Sequence, residues 1–425
     1  MRLGEVERFD PYFHGAEFKE KELKLRNGKF SVVELKSLCK KITDGTHYTP
    51  KYTNEGIHFI SVKDVRDTKI SFNDTKFISK EEHNKFIRRC KPEEGDILFT
   101  KVGTVGIAKV IDKGLPEFSI FVSVALLKVN KDLINPNYLA LFLNSSFTKF
   151  QVDRVLKGIG VPDFHLENIA ELLIPLPPLE TQQKLVAIMD EAYQIKKTKE
   201  QKAKELLDSI DDFVMVELGI EKVESVEKKV FGVRLSALKE RIDPEFVLKQ
   251  TIISKSKFKF VELETLAKVE WGNTNITKAS YTENGYLAYS ATGQDGFLPF
   301  HDFDTKAIIL SAIGARCGKC FLAKGKWSAI KNTIVIIPKS QEVSIDFLYT
   351  YLDNENIWEK SGGAQPFITM AGANKLLVPL PPLEIQQKIA DEVEKRRSQA
   401  FELQAEARQV LELAKAEFEG EVLEG

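Results

Sequence analysis

The chain has 425 residues, enough for two to three domains, with 43% apolar residues and a formal net charge of −1. No run approaches the roughly 18 apolar residues of a membrane span, and the charges between Arg2 and Arg8 leave no room for a secretory h-region. Four cysteines in this length argue for a reducing cytoplasm rather than a disulfide framework.

Taken in order, the chain opens with Arg8-Phe9-Asp10-Pro11-Tyr12-Phe13, then short β-rich runs at Phe30–Leu38, Ile57–Val62, Asp96–Thr100 and Ile107–Ile111. Thr43-Asp44-Gly45-Thr46, Asn54-Glu55-Gly56 and Lys113-Gly114 punctuate them as turns. Phe118–Val129 is apolar and β-branched, which predicts a buried strand pair. Pro136–Leu143 predicts a helix capped by Asn135 with proline in its first turn.

Next comes Leu176-Pro177-Pro178-Leu179-Glu180-Thr181-Gln182-Gln183-Lys184, which returns 204 positions later as Leu380-Pro381-Pro382-Leu383-Glu384-Ile385-Gln386-Gln387-Lys388. The residue before a proline is pushed out of the α region, and proline is tolerated just inside a helix start. Each copy therefore ends one segment and launches a helix. Other landmarks recur in the same order. Arg241-Ile242-Asp243-Pro244-Glu245-Phe246 echoes the opening, Val261-Glu262-Leu263 echoes Val33-Glu34-Leu35, and Gly362 and Pro366 echo Gly158 and Pro162. The chain reads as a tandem duplication.

The second half predicts strands at Phe258–Val269, Tyr286–Tyr289, Ala307–Ala312, Cys320–Ala323 and Thr333–Ile337, and a helix at Ile345–Leu352. The interiors differ in length and sequence, so the frame is expected to repeat around two unlike fillings. The helices carry Leu185, Met189, Ala192, Lys196, Lys199, Ala203, Leu206 and Ile210, matched by Ile389, Val393, Arg396, Ala400, Leu403, Ala407, Val410 and Ala414. This alternation of three and four residues is a coiled-coil seam. About 36 residues at 1.5 Å make each helix roughly 54 Å long.

The expected fold is α+β: two domains of mixed, mostly β structure joined by two long antiparallel coiled-coil helices, with an internal pseudo-two-fold repeat. The expected division is 1–175, a helical spacer 176–232, 233–379, and a second helical spacer 380–425. Residues 179–230 carry nine basic and twelve acidic groups and 383–425 carry six and eleven, which leaves an excess of about +7 on the remainder. A polyanion should meet the globular parts.

Several fragments resemble catalytic motifs and fall short. Gly314-Ala315-Arg316-Cys317-Gly318-Lys319-Cys320 is one residue short of a phosphate loop and lacks its Ser/Thr. Cys317 and Cys320 have metal-ligand spacing without a second pair nearby, so no metal site is expected. Asn135-Pro136-Asn137-Tyr138 lacks the second proline of an amino-methyltransferase loop. The six histidines form no motif, and no catalytic residue is assigned.

A frame kept twice around two fillings suits a ruler carrying two readers, and here the sequence resembles the specificity subunits of type I restriction–modification enzymes. The carriers are the doubled Leu-Pro-Pro-Leu-Glu-x-Gln-Gln-Lys phrase and the Gly158–Pro162 and Gly362–Pro366 approaches. They also include Asp44-Gly45-Thr46-His47 with Gly56-Ile57-His58-Phe59-Ile60, and Gly95-Asp96-Ile97-Leu98 with Gly103-Thr104-Val105-Gly106. The resemblance implies two target-recognition domains, each reading half of a bipartite double-stranded DNA site. It further implies helices that dock modification (methyltransferase) subunits, two in number, and a restriction/translocase subunit that completes the complex. S-adenosylmethionine, ATP and Mg²⁺ belong to those partners, and none to this chain. The Arg-x-Asp-Pro-x-Phe segments are equally at home in type IIB-like specificity subunits. A stand-alone DNA-binding regulator and a structural adaptor remain as alternatives.

Polar and basic residues in predicted inter-strand loops are the candidate DNA contacts: Thr46, His47, Tyr48, Lys63, Arg66, Lys101 and Thr104 in the first half. Asn273, Thr274, Asn275, Thr292, Gln294, Arg316 and Lys319 are those of the second. Lys196 and Lys199 interrupt the helical seam and are the candidate partner contacts.

Overall fold

The computed structural model describes residues 16–156, 160–220, 256–362 and 364–423. The Arg8–Phe13 and Arg241–Phe246 segments, Gly158 and the end of the central spacer lie outside the described residues. The chain divides into two compact units, one running to Thr198 and resuming at Glu406, the other Lys199–Ala405.

In the first unit, a short antiparallel pair, Val32–Glu34 with Leu173–Pro175, closes the base of the domain. A four-stranded antiparallel sheet follows in the order Cys39–Asp44, Val124–Val129, Ile97–Thr100, Ala108–Val110. A second sheet runs Tyr52–Thr53, Lys76–Ile78, Ile57–Ile60, Phe118–Ile120, and its last pair is parallel. The Phe118–Val129 run is thus two buried strands, but not a pair: each joins a different sheet. Its turn at Phe121–Ser123 carries the chain from one sheet to the other, and burial on both sides explains the unbroken apolar pattern.

The second unit has the same plan. Phe260–Glu262 pairs with Leu377–Pro379, and one sheet runs Ala267–Trp271, Thr333–Pro338, Ala307–Ser311, Cys320–Ala323. The other runs Gly293–Leu298, Tyr286–Ser290, Lys326–Ala329, Phe303–Asp304, again with one parallel pair, Tyr286–Ser290 with Lys326–Ala329. The two fillings share the strand order of the first sheet but not of the second, whose outer edge strand lies beside Lys76–Ile78 in one unit and beside the parallel strand Lys326–Ala329 in the other. The sequences differ, yet the first sheet has the same strand order in both units, because burial on both faces of its central strands constrains side-chain class and not identity. Phe30–Leu38 and Phe258–Val269, read as single strands, are each broken by a one-turn helix, Leu35–Leu38 and Leu263–Leu266.

The predicted helices form at Pro136–Leu143, where Asn135 Oδ1 accepts the Asn137 amide at 2.8 Å, and at Ile345–Leu352. The long helices span Leu179–Leu218 and Leu383–Leu423, 40 and 41 residues, rather than the 36 expected. Leu185, Met189, Ala192, Ala203, Ile210, Ile389, Val393, Ala400, Ala407 and Ala414 are buried along them. Leu206, Leu403, Val410, Lys196, Lys199 and Arg396 are half-buried. Within the second unit, Lys388 pairs with Glu217 at 3.0 Å and Arg396 Nη1 donates to Ser209 O at 3.1 Å. One number falls as the other rises, so these two helix segments run antiparallel. The Arg396 guanidinium lies 4.5 Å over the Phe213 ring, which lets a charged side chain occupy an apolar position. In the first unit Leu185, Val186, Met189 and Ala192 share one core with Ala414, Phe418 and Val422. Among the described residues no helix is long and apolar enough to cross a membrane.

Each long helix is fastened at its start by one glutamine. Gln182 is fully buried, donates to Pro177 O at 2.8 Å and accepts the Asn135 amide at 2.7 Å. Gln386, also fully buried, donates to Pro381 O and Glu342 O at 2.8 Å and accepts the Ser344 amide at 2.7 Å. The repeated nine-residue phrase is a joint between long helix and sheet domain.

Candidate nucleic-acid interface

Each unit turns sharply at the end of its first sheet strand, and the turn is built around a glycine. After Asp44, the Gly45 amide donates to Val124 O at 3.3 Å and that of Thr46 to Ile120 O at 3.1 Å. A Cβ on Gly45 would sit 2.0 Å from Ile120 O, so no side chain fits there. After Trp271, the Gly272 amide donates to Thr333 O at 2.9 Å and that of Asn273 to Ala329 O at 2.7 Å. A Cβ on Gly272 would lie 2.6 Å from Ile330 O. Both turns are then locked by the next polar side chain: Thr46 Oγ1 accepts the Tyr48 amide and Asn273 Oδ1 that of Asn275, each at 3.1 Å.

A second loop stands beside each turn. The Gly103 amide donates to Pro162 O at 2.9 Å, and that of Phe164 to Lys101 O at 2.8 Å. In the other unit Gly314 donates to Pro366 O at 3.0 Å, and Ile368 to Ala312 O at 2.8 Å. Gly103 and Gly314 both take positive φ, +80° and +109°. This pairing is what holds Pro162 and Pro366 in the same register.

In the first unit these loops bring Thr46, His47, Tyr48 and Lys101 together around Asp44, whose side chain is only 5% exposed. Lys101 Nζ is equally buried, 3.9 Å from Asp44 Oδ2 and 3.2 Å from Asp163 Oδ1. His47 Nε2 lies 3.3 Å from Asp44 Oδ2, and His165 Nδ1 is 3.9 Å from Asp163 Oδ2. Arg89 Nη2 donates to Asp44 Oδ1 at 2.7 Å, to Asp44 O at 2.8 Å and to Gly45 O at 2.7 Å. A buried carboxylate surrounded by cations is stable only because each charge is matched. Tyr48 projects to solvent. Thr104 is exposed on the adjoining loop. Lys63 and Arg66 stand apart from the cluster, Lys63 Nζ donating to Asp74 O at 3.2 Å and Arg66 Nη1 to Val65 O at 3.1 Å.

The second unit gathers a different set. Asp295 Oδ2 accepts from Ser290 Oγ at 2.7 Å and from Thr292 Oγ1 at 2.5 Å, and it pairs with Lys278. Tyr281 OH donates to Asp295 Oδ1 at 2.7 Å. Burial works against the charge, but hydrogen bonds from Lys278, Ser290, Thr292 and Tyr281 outweigh it and hold the carboxyl at about 2. Arg316 Nη1 reaches Thr292 O at 3.1 Å, and exposed Gln294 donates to Gly296 O at 3.2 Å. Asn273, Thr274 and Asn275 form the glycine-built turn. Lys319 is held elsewhere: it pairs with buried Asp353 at 3.0 Å, which also takes Arg397 of the long helix at 2.8 Å.

Sequence reasoning passed over Asp44, Arg89, Asp163 and His165 as site residues, and Lys278, Tyr281 and Asp295 with them. No local signal marks Arg89, which meets Asp44 from 45 residues away. The resemblance to a phosphate loop resolves into an ordinary turn: the amides of Cys317, Gly318 and Lys319 donate to Gly314, Ser311 and Arg316 carbonyls. Cys317 and Cys320 are buried and free. Among the described residues no group of three or more His, Cys, Asp or Glu is placed to hold a metal.

A family model described as the type I restriction modification DNA specificity domain matches residues 27–207 and again 255–413. The chain belongs to this family. Among similar proteins is the putative type I restriction enzyme MjaX specificity subunit of Methanocaldococcus jannaschii, 24% identical over 432 residues and covering 97% of both chains. The type I restriction enzyme EcoBI specificity subunit of Escherichia coli is 26% identical over 139 residues, covering 33% of this chain and 29% of that one. A solved chain described under complex assembly and conformational transition of the type I R-M system shares the fold, with TM-score 0.59 and 15% identity. It covers 94% of this chain and 98% of that chain. As a type I specificity subunit, this chain recognises the DNA target and is the non-catalytic member of its system.

Proposed function

We propose that the chain reads a bipartite duplex DNA target, one half-site per recognition domain, and carries methyltransferase subunits to it. The observation that supports this reading is the paired turn. Gly45 and Gly272 occupy the same place in the same sheet order, yet present Thr46-His47-Tyr48 in one unit and Asn273-Thr274-Asn275 in the other. Equal scaffolds with different donor and acceptor sets suit two different base sequences.

In this reading residues 1–175 and 233–379 are the target-recognition domains, and 176–232 with 380–425 are helical spacers. The long helices form an antiparallel coiled coil about a pseudo-two-fold axis, and their length sets the spacing of the half-sites. Thr46, His47, Tyr48, Lys101 and Thr104 face the first half-site, with Lys63 and Arg66 on its flank. Asn273, Thr274, Asn275, Thr292, Gln294 and Arg316 face the second, and Lys319 acts through Asp353. Two modification subunits, bringing S-adenosylmethionine, dock on the helices near Lys196 and Lys199. A restriction/translocase subunit brings ATP and Mg²⁺, and the assembly works in the cytoplasm.

The test is co-expression with a cognate modification subunit and genome-wide mapping of methylated bases. A bipartite motif that vanishes when this gene is deleted, and changes in one half only when residues 30–150 are exchanged, is the expected result. Tight DNA binding by the chain alone with no methylated motif would replace this reading with a regulator.

A further inference from the structure

The first unit holds a cleft lined by Gly45, Thr46, His47, Lys85, Phe86 and Arg89, and one of its cations is fixed in an unusual way. Arg89 is 54% exposed, yet its Nη2 is committed three times over, to Asp44 Oδ1, Asp44 O and Gly45 O. A guanidinium reads guanine bidentately by aligning two neighbouring N–H groups, and both of its two-pronged edges include Nη2. With Nη2 spent on the protein, neither fork is whole. Nε and Nη1 remain as single donors on opposite edges, without hydrogen bonds among the described residues. That donor set suits a phosphodiester oxygen and not a base edge.

We infer that this cleft is a DNA phosphate seat, with Arg89 as its donor and Asp44 as the positioning residue that aims it. The inference rests on the DNA-reading role above and adds the chemistry of one contact. Lys41 Nζ, which donates to Arg89 O at 2.5 Å, and Lys85 on the cleft wall add positive charge around the seat. The second unit has Trp271 where this one has Asp44, so the seat belongs to the first half-site alone. Phosphate contacts set register and carry no sequence information directly.

The experiment uses the full chain bound to its modification subunits, with fluorescent duplexes bearing the target or an unrelated sequence. Affinity is followed from low to high salt for wild type, Arg89→Gln and Asp44→Asn. Removal of one phosphate contact should flatten the slope of log affinity against log salt by about 0.9. Arg89→Gln should do this on both duplexes and leave the methylated motif unchanged. Asp44→Asn should give the same loss, with no further loss in the double variant. Because Arg89 matches the charge of the buried Asp44 carboxylate, both variants should melt below wild type, so the salt slopes are compared at a temperature where thermal melts show each variant folded. An unchanged slope overturns the proposal, and so does altered base preference in the first half-site, which would make Arg89 a base reader. Absence of salt-dependent target binding by the wild type would instead overturn the DNA-reading role itself.

Discussion

Gln386 Oε1 accepts the amide hydrogen of Ser344 at 2.7 Å from a fully buried position, and Gln182 does the same for Asn135 in the other unit. In both units the amide belongs to the residue that caps a recognition-domain helix, Pro136–Leu143 or Ile345–Leu352. One side chain thus ties the first turn of the long helix to the domain it leaves. Replacing either glutamine by alanine strands a part-buried amide and at least one buried carbonyl, Pro177 O or Pro381 O, which costs about 1–3 kcal/mol. Urea denaturation should show that loss for Gln386→Ala. Lys388→Ala, two residues on, removes only an exposed pair with Glu217 and should cost under about 1 kcal/mol. Equal losses for the two variants would contradict this account of the repeated phrase.

The glycine-built turns make a sharper demand. At Gly45 a methyl group would overlap Ile120 O at 2.0 Å, and at Gly272 it would meet Thr333 Oγ1 at 2.3 Å. Gly45→Ala must shift the backbone of the Phe118–Ile120 strand, a cost of about 1–3 kcal/mol by analogy with overpacked cores. Its methylation pattern should lose the first half-site's preference and keep the second, and Gly272→Ala should do the reverse. Loss of both preferences from either variant would mean that the turns do not act separately.

Acid should loosen the second unit through Asp295. Its folded carboxyl titrates at about 2, below the usual aspartate value of 3.8, so the carboxylate is favoured in the folded state. A depressed pKa contributes stability above the unfolded value, and that contribution disappears as pH falls from about 4 toward about 2. Partial exposure of the group reduces the size of the effect. Thermal melts across this range should fall less steeply for Asp295→Asn than for wild type. Parallel curves would remove Asp295 from the list of acid-sensitive contacts.

The cysteines should be inert in the folded protein. Burial pushes the thiols of Cys39 and Cys90 up to about 12, and it raises Cys317 and Cys320 as well. The thiolate is the reactive form, so alkylation by iodoacetamide at pH 8 should be slow on native protein and fast in denaturant. Rapid labelling of Cys317 or Cys320 in the native state would show that their loop opens.

Much was legible from the chain alone, because its strongest signals are local or periodic. The proline phrase marked where both long helices are launched, and they begin within it, at Leu179 and Leu383. The Asn135 cap and proline predicted Pro136–Leu143, and ten of the sixteen seam residues, Leu185, Ile210, Ile389 and Ala414 among them, are buried. These features depend on residues within a few turns of one another, which is the range over which propensity and amphipathic period act.

The tertiary structure alone decided the rest. It placed Phe118–Ile120 and Val124–Val129 in different sheets, and it gave two dissimilar sequences the same strand order in one of their two sheets. It also assembled the charged cluster, where Asp44 meets Arg89 from 45 residues away and Lys101 meets Asp163 from 62. A charged side chain reads in sequence as a solvated surface group. Only the closing of loops over a buried carboxylate turns some of them into a fixed array, and that closing is set by strand pairing distant in the chain.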